Sequence, residues 1–172
     1  RLMPNAANWD KNHEFPQEII SELADLGLMG INTSTDFGGA EMDTVSYAIA
    51  MEEISRGCAS CGVIMSAHNS LYNYPVEAFG TEKQKEVWLA PFAEGNKLGC
   101  FGLSEPGNGS DAGAASTMAK DMGDHWLLNG TKAWITNALQ ADAAVIFATT
   151  DKSEKHKGIS AFLVSTAAPG FS

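Results

Sequence analysis

The chain is poor in several things, and each shortage narrows the field. No apolar run approaches the roughly 20 residues that a helix needs to cross a bilayer. Lys and Arg number 11 against 21 Asp and Glu, a formal charge of −10. That balance excludes a nucleic-acid partner, whose phosphates call for a basic surface. Only three cysteines occur, an odd and small number. They argue against a disulfide framework and for a reducing compartment. Cys58-Ala59-Ser60-Cys61 has the spacing of a metal or redox motif, but no second cysteine pair or nearby histidine completes it. The alternative is two small residues buried in a helix. His13, His68, His125 and His156 show no metal-ligand spacing and are expected on the surface or in packing. Neither a secretory signal nor an Arg-rich transit segment opens the chain. Its first residue is Arg rather than Met, so the start reads as processed or trimmed. Internal repeats and low-complexity stretches are also missing.

What is present divides into a helical part and a β part, an α+β chain of 172 residues with the change near Gly95. We expect a helical domain over 1–95 and a β domain over 96–172. Ile19, Ile20, Leu23 and Leu26 form a helical stripe after Pro16, and Gly27 and Gly30 sit near its end. Asp36-Phe37-Gly38 reads as a turn. Asp43 caps a helix that runs to Arg56, where Gly57 stops it. Ser60 to Tyr74 is apolar on most sides and predicts a buried helix that Pro75 kinks or ends. Thr81 with Gln84 three residues on is a capping box, and Val87, Trp88 and Phe92 are the expected apolar anchors of its helix. Beyond Lys97 the period becomes that of strands. Leu98–Ser104, Ala143–Thr150 and Ile159–Val164 are strand runs. Asn129-Gly130, between Trp126–Leu128 and Thr131–Thr136, predicts a hairpin turn. So few strands leave open edges, and Ala167–Ser172 is turn-like, so more chain is expected to follow.

The stretch Phe101-Gly102-Leu103-Ser104-Glu105-Pro106-Gly107-Asn108-Gly109-Ser110-Asp111 carries the most chemistry. An apolar strand stops in a segment that offers backbone N–H groups and hydroxyls with few bulky side chains. That suits a flat polar ring or a phosphate. Trp134-Ile135-Thr136 adds an indole and a hydroxyl. Each feature has a plainer reading: a surface turn for Pro106–Gly109, a core aromatic for Trp134, a strand-end β-former for Thr136, a turn residue for Ser110. The pair of clusters together points to a flavin site.

At these residues the chain resembles the acyl-CoA dehydrogenase family over essentially its whole length. Glu52-Glu53-Ile54-Ser55-Arg56, Phe79–Lys85, Leu103–Asp111 and Asn129–Asn137 match its patterns in order. The texture is most similar to the short-chain, butyryl-CoA type. The resemblance implies an N-terminal helical domain and a middle β domain that is barrel-like and antiparallel, with a C-terminal helical domain not included. It implies FAD as cofactor, held by Phe101, Gly102, Leu103, Ser104, Glu105, Pro106, Gly107, Asn108, Gly109, Ser110, Trp134, Ile135 and Thr136. Ser104 would meet the pyrimidine end, Trp134 would pack along the ring and Thr136 would donate to N5. Ser110 would also touch acyl-CoA, the implied substrate, which becomes a trans-2-enoyl-CoA in fatty-acid β-oxidation. The catalytic glutamate of most members lies beyond Ser172, so no catalytic residue and no metal ligand is assigned here. Electron-transferring flavoprotein as acceptor, a tetramer and the mitochondrial matrix are implied as well. A non-catalytic flavin- or acyl-CoA-binding module of the same fold and an acyl-CoA oxidase are the alternatives.

Overall fold

Helix boundaries in the first half follow from side chains that catch free backbone groups. The computed structural model describes all residues, 1–172. Asp43 accepts a hydrogen bond from the Ser46 N–H at 2.8 Å and starts α3 (Thr44–Gly57). Thr81 and Gln84 make the reciprocal capping box that starts α6 (Glu82–Trp88), which leads into α7 (Ala90–Ala93). Before these come α1 (Leu2–Asn12) and α2 (Gln17–Asp25). Helix α1 has no side-chain cap, and it is tertiary packing of Leu2, Ala6 and Trp9 that holds it.

Two compact units result, Arg1–Gly99 and Cys100–Ser172. The helical unit is built around α4 (Ala59–Ser66), which continues as a π-helical segment (Ala67–Asn73) and then as α5 (Tyr74–Phe79). Pro75 therefore does not end the helix. It sits in the first turn of α5, directly after the wide π turns. Widened turns of this kind accommodate a residue that lacks an N–H and would crowd a regular α-helix. Asn69 and Asn73 project from the π segment onto the 28–33 loop. Asn69 accepts from Ile31 N–H (3.1 Å) and donates to the Leu28 and Met65 carbonyls, while Asn73 donates to Met29 O (2.9 Å). The core gathers Ile19, Ile20, Leu23, Met29, Ile64, Met65 and Leu98 with Cys58 and Cys61. Both cysteines are free thiols in that core, as the plainer reading of their motif had it, and burial pushes Cys61 up to about 12. Val87 is exposed, and the buried Leu89 takes the anchoring place expected of it beside Phe92.

In the second unit β1 (Gly99–Gly102), β2 (Met118–Asp121), β3 (Trp126–Asn129), β4 (Ala143–Thr149) and β5 (Ile159–Ser165) form one sheet in the order β1-β4-β2-β3, with β5 on β4. The β4–β5 pair is antiparallel along its whole length, Ala143↔Ser165 to Thr149↔Ile159. The sheet is mixed and open rather than a closed antiparallel barrel, because β2 meets β4 in parallel at Met118↔Thr149. Asn129-Gly130 is not a hairpin turn. Neither residue has the positive φ that such a turn requires. The hairpin is β2–β3, turned at Met122–His125 with Gly123 at φ 96° and the Asp121 carboxylate accepting from Gly123 N–H. Gly130 serves close approach instead: a Cβ there would stand 2.4 Å from Thr117 Oγ1. Residues 131–136 accordingly form no strand.

His68 is fully buried and stacked against Tyr72 and Phe92. Its Nδ1 accepts from Gly99 N–H (3.0 Å), so Nε2 carries the proton and donates to Phe92 O (3.0 Å). Burial depresses its pKa to about 4, partly offset by the Phe92 carbonyl. A proton taken up below the ordinary value of 6.5 thus goes first to the unfolded chain. Stability should fall by up to about 3 kcal/mol as pH drops from about 6.5 to about 4, and no further below that. Thermal midpoints measured across this range for the wild-type chain and for His68→Gln check it. The same slope in both would refute the assignment.

Candidate functional site

Past β1 the chain makes a tight turn in which Glu105 N–H donates to Asn108 O (2.9 Å) and Asn108 N–H returns to Glu105 O (3.2 Å). The turn directs the Glu105 side chain inward, where it is buried. There its carboxylate meets six donors. Oε1 accepts from Thr117 N–H (2.9 Å), Thr117 Oγ1 (2.6 Å) and Lys132 Nζ (2.8 Å). Oε2 accepts from Ser116 N–H (2.7 Å), Ser116 Oγ (2.5 Å) and Asn108 Nδ2 (3.2 Å). Burial alone would raise this pKa. The Lys132 ammonium and the Ser116 and Thr117 donors outweigh it and hold the carboxyl well below the usual carboxylate range. Glu105 is ionised at any physiological pH, and its side chain has no oxygen left for a ligand.

Lys132 also reaches back to the Leu103 carbonyl (3.1 Å), and Ala133 N–H donates to Ser104 O (2.9 Å). The two motifs are thus laid against each other. Gly102 is required beneath them, since a Cβ would meet Ile146 Cδ1 at 2.6 Å and the Lys132 stem at 3.3 Å. From Ala133 the chain needs three more residues to arrive at Thr136, a span of at most about 11 Å.

Around this junction the outward and inward residues separate cleanly. Ile135 packs onto the cluster of Cys100, Ala141 and Ala144, and Phe101 packs on Phe147 at 5.0 Å between ring centres. Trp134 is 94% exposed and has φ 62°, the left-handed region that a bulky residue rarely occupies. Pro106, Gly107, Gly109 and Ser110 are exposed, while Ser104, Asn108 and Thr136 are half-buried. Nothing lies within 4 Å of a Cβ placed at Gly107 or Gly109. None of the hydrogen bonds that hold the two segments together uses the hydroxyl of Ser104, Ser110 or Thr136. The two segments offer an unstacked indole, hydroxyls outside these bonds and open backbone, groups that suit a flat ring carrying polar edges. Lys132, Ser116 and Thr117 are the residues that motif reading passed over. A lysine among small and apolar neighbours was the one signal available for them.

Both halves of the chain match models of a single family: residues 1–96 the acyl-CoA dehydrogenase N-terminal domain, and residues 100–172 the acyl-CoA dehydrogenase middle domain. The chain belongs to the acyl-CoA dehydrogenase family. Among its relatives is the short-chain specific acyl-CoA dehydrogenase, mitochondrial, of Homo sapiens, 59% identical over 98% of this chain and 41% of that protein. Its fold is similar to the butyryl-CoA dehydrogenase of Megasphaera elsdenii, with a TM-score of 0.94 and 40% identity over 98% of this chain and 45% of that one. It is similar also to a glutaryl-CoA dehydrogenase of Mycobacterium smegmatis solved in complex with FADH2, with a TM-score of 0.92 and 39% identity over 100% of this chain and 43% of that one. The chain therefore spans less than half the length of these relatives.

The glycines give a direct check on the local geometry. Gly107→Ala should leave thermal stability unchanged within about 0.5 kcal/mol, as for an open surface position. Gly130→Ala, forced against Thr117, should cost about 1–3 kcal/mol. Equal unfolding midpoints for the two variants would contradict the packing described.

Proposed function

We propose that this chain supplies one side of a site that binds FAD and a short-chain acyl-CoA thioester, in an enzyme that converts the thioester to its trans-2-enoyl product. The observation that carries the reading is Trp134. A large aromatic ring held outward, in a backbone conformation that costs of order 1–3 kcal/mol, marks a place where something else is meant to pack. The family relationship supports FAD as that partner, and the solved relative bound to FADH2 supports it further. When bound, the isoalloxazine supplies the hydride acceptor for the substrate β-carbon.

The chain's own residues then divide the work. Backbone groups and the hydroxyl in Phe101–Ser104 address the pyrimidine edge of the ring. The Trp134 indole covers it and limits water. Thr136 would donate a hydrogen bond to the ring nitrogen that accepts hydride, helping to orient the ring and to stabilise its reduced form. Ser110, exposed at the turn's end, addresses the thioester substrate. The α-proton needs a carboxylate base in a dry pocket. Glu105 is not that base, because its lone pairs are all committed and its pKa is pushed the wrong way. The family resemblance assigns the base to a glutamate outside residues 1–172. Electron-transferring flavoprotein as the onward acceptor, a tetramer, a role in β-oxidation and the mitochondrial matrix belong to the same proposal. The mitochondrial relative supports the last of these.

Two measurements test this reading on the intact protein expressed from its own gene. Anaerobic addition of butyryl-CoA should bleach the flavin band near ~450 nm. A spectrum that does not change assigns a binding module instead, and turnover with oxygen as the direct acceptor assigns an oxidase. Trp134→Gly should leave the ligand-free stability unchanged within about 1 kcal/mol, because relief of left-handed strain offsets the looser unfolded chain. The same variant should bind FAD about tenfold more weakly through loss of ring packing. Unaltered affinity would remove Trp134 from the site.

A further inference from the structure

We propose that Glu105 is a positioning residue for the flavin: its buried carboxylate clamps the Lys132–Thr136 segment onto the Phe101–Ser110 segment and so keeps both sets of ring contacts in one register. The inference rests on the flavin reading given above. Its basis is the origin of the six donors. Asn108 belongs to the Glu105 turn, Ser116 and Thr117 to the approach to β2, and Lys132 to the second motif, 27 residues away in sequence. Three consecutive residues are tied across the junction. The Leu103 carbonyl takes Lys132 Nζ, the Ser104 carbonyl takes Ala133 N–H, and the Glu105 carboxylate takes Lys132 Nζ again. A slip of one residue would break all three at once.

Trp134 follows immediately and packs on almost nothing of its own. Its placement is set by the tie at Ala133 on one side and by the half-buried Ile135, packed on Cys100, Ala141 and Ala144, on the other. Opposite charges 2.8 Å apart largely cancel, so the pair gives the site position rather than field. An apolar pair of similar volume could fill the space but could not bridge Lys132 to Leu103 and Glu105 together.

The test uses the intact protein with Glu105→Gln, which puts an amide where donors already converge. The expected results are FAD binding weakened about tenfold or more in the folded fraction, altered visible circular dichroism of the bound flavin, and faster hydrogen exchange of the Ala133 amide without any ligand. A variant that melts earlier but binds FAD with wild-type affinity and dichroism, and keeps Ala133 protected, overturns the clamp and leaves Glu105 a stability residue only. If Glu105→Gln does not fold, the double variant Glu105→Met with Lys132→Met leaves no unpaired buried charge. Folded, with Ala133 protected and FAD bound within about twofold of wild type, that variant overturns the proposal equally. Wild-type protein that takes up no FAD sinks the flavin reading alone, because the Ala133 exchange still decides the clamp.

Discussion

One buried carboxylate organises the second half of this molecule. Glu105 draws six donors from three stretches of chain into one small volume, and every other feature of the junction is arranged around that convergence. A buried charge is tolerable only when each lone pair is used, and here the count is complete. The result is a rigid base from which exposed groups project. Rigidity underneath and openness above is the combination a ligand site needs, since ordering entropy has been spent before the ligand arrives.

The outward face shows the other half of that bargain. Trp134 sits in an unfavourable backbone region and gains nothing from burial. Gly107 and Gly109 border open space, whereas Gly102 and Gly130 are pressed against neighbours. Glycine is used in two senses within thirty residues: to let chains pack below, and to clear room above. The ordinary conformational argument for glycine would not separate these cases; the surroundings of each position do.

Much of this was legible from sequence where the cause is local. Asp43, the Thr81–Gln84 pair and the β-branched runs of β4 and β5 set their own boundaries through caps and periodicity. The helical-then-β order followed from the same kind of signal, and the family resemblance from the strings Leu103–Asp111 and Asn129–Asn137. Errors arose where a residue answers to a distant partner. Gly130 looked like a turn residue and is a packing residue against Thr117. Pro75 was expected to kink or end its helix and instead sits in the first turn of α5, directly after a π segment. Helix α1 has a stripe of Leu2, Ala6 and Trp9 too sparse to read without the core it covers. At the site, the two motifs were visible as strings. The Glu105 donors at separations of 11, 12 and 27 residues were not, because nothing local to Ser116, Thr117 or Lys132 announces the carboxylate they share.

The π-helical stretch Ala67–Asn73 has an effect beyond making room for proline. Its buried residues form two neighbouring pairs: His68 and Tyr72 set rings beside Phe92, while Asn69 and Asn73 set amides on the carbonyls of Leu28 and Met29. Loss of a single residue between Asn69 and Tyr72 would rewind the stretch and swing Tyr72 and Asn73 by about 100° off Phe92 and the Met29 carbonyl, while His68 and Asn69 kept their partners.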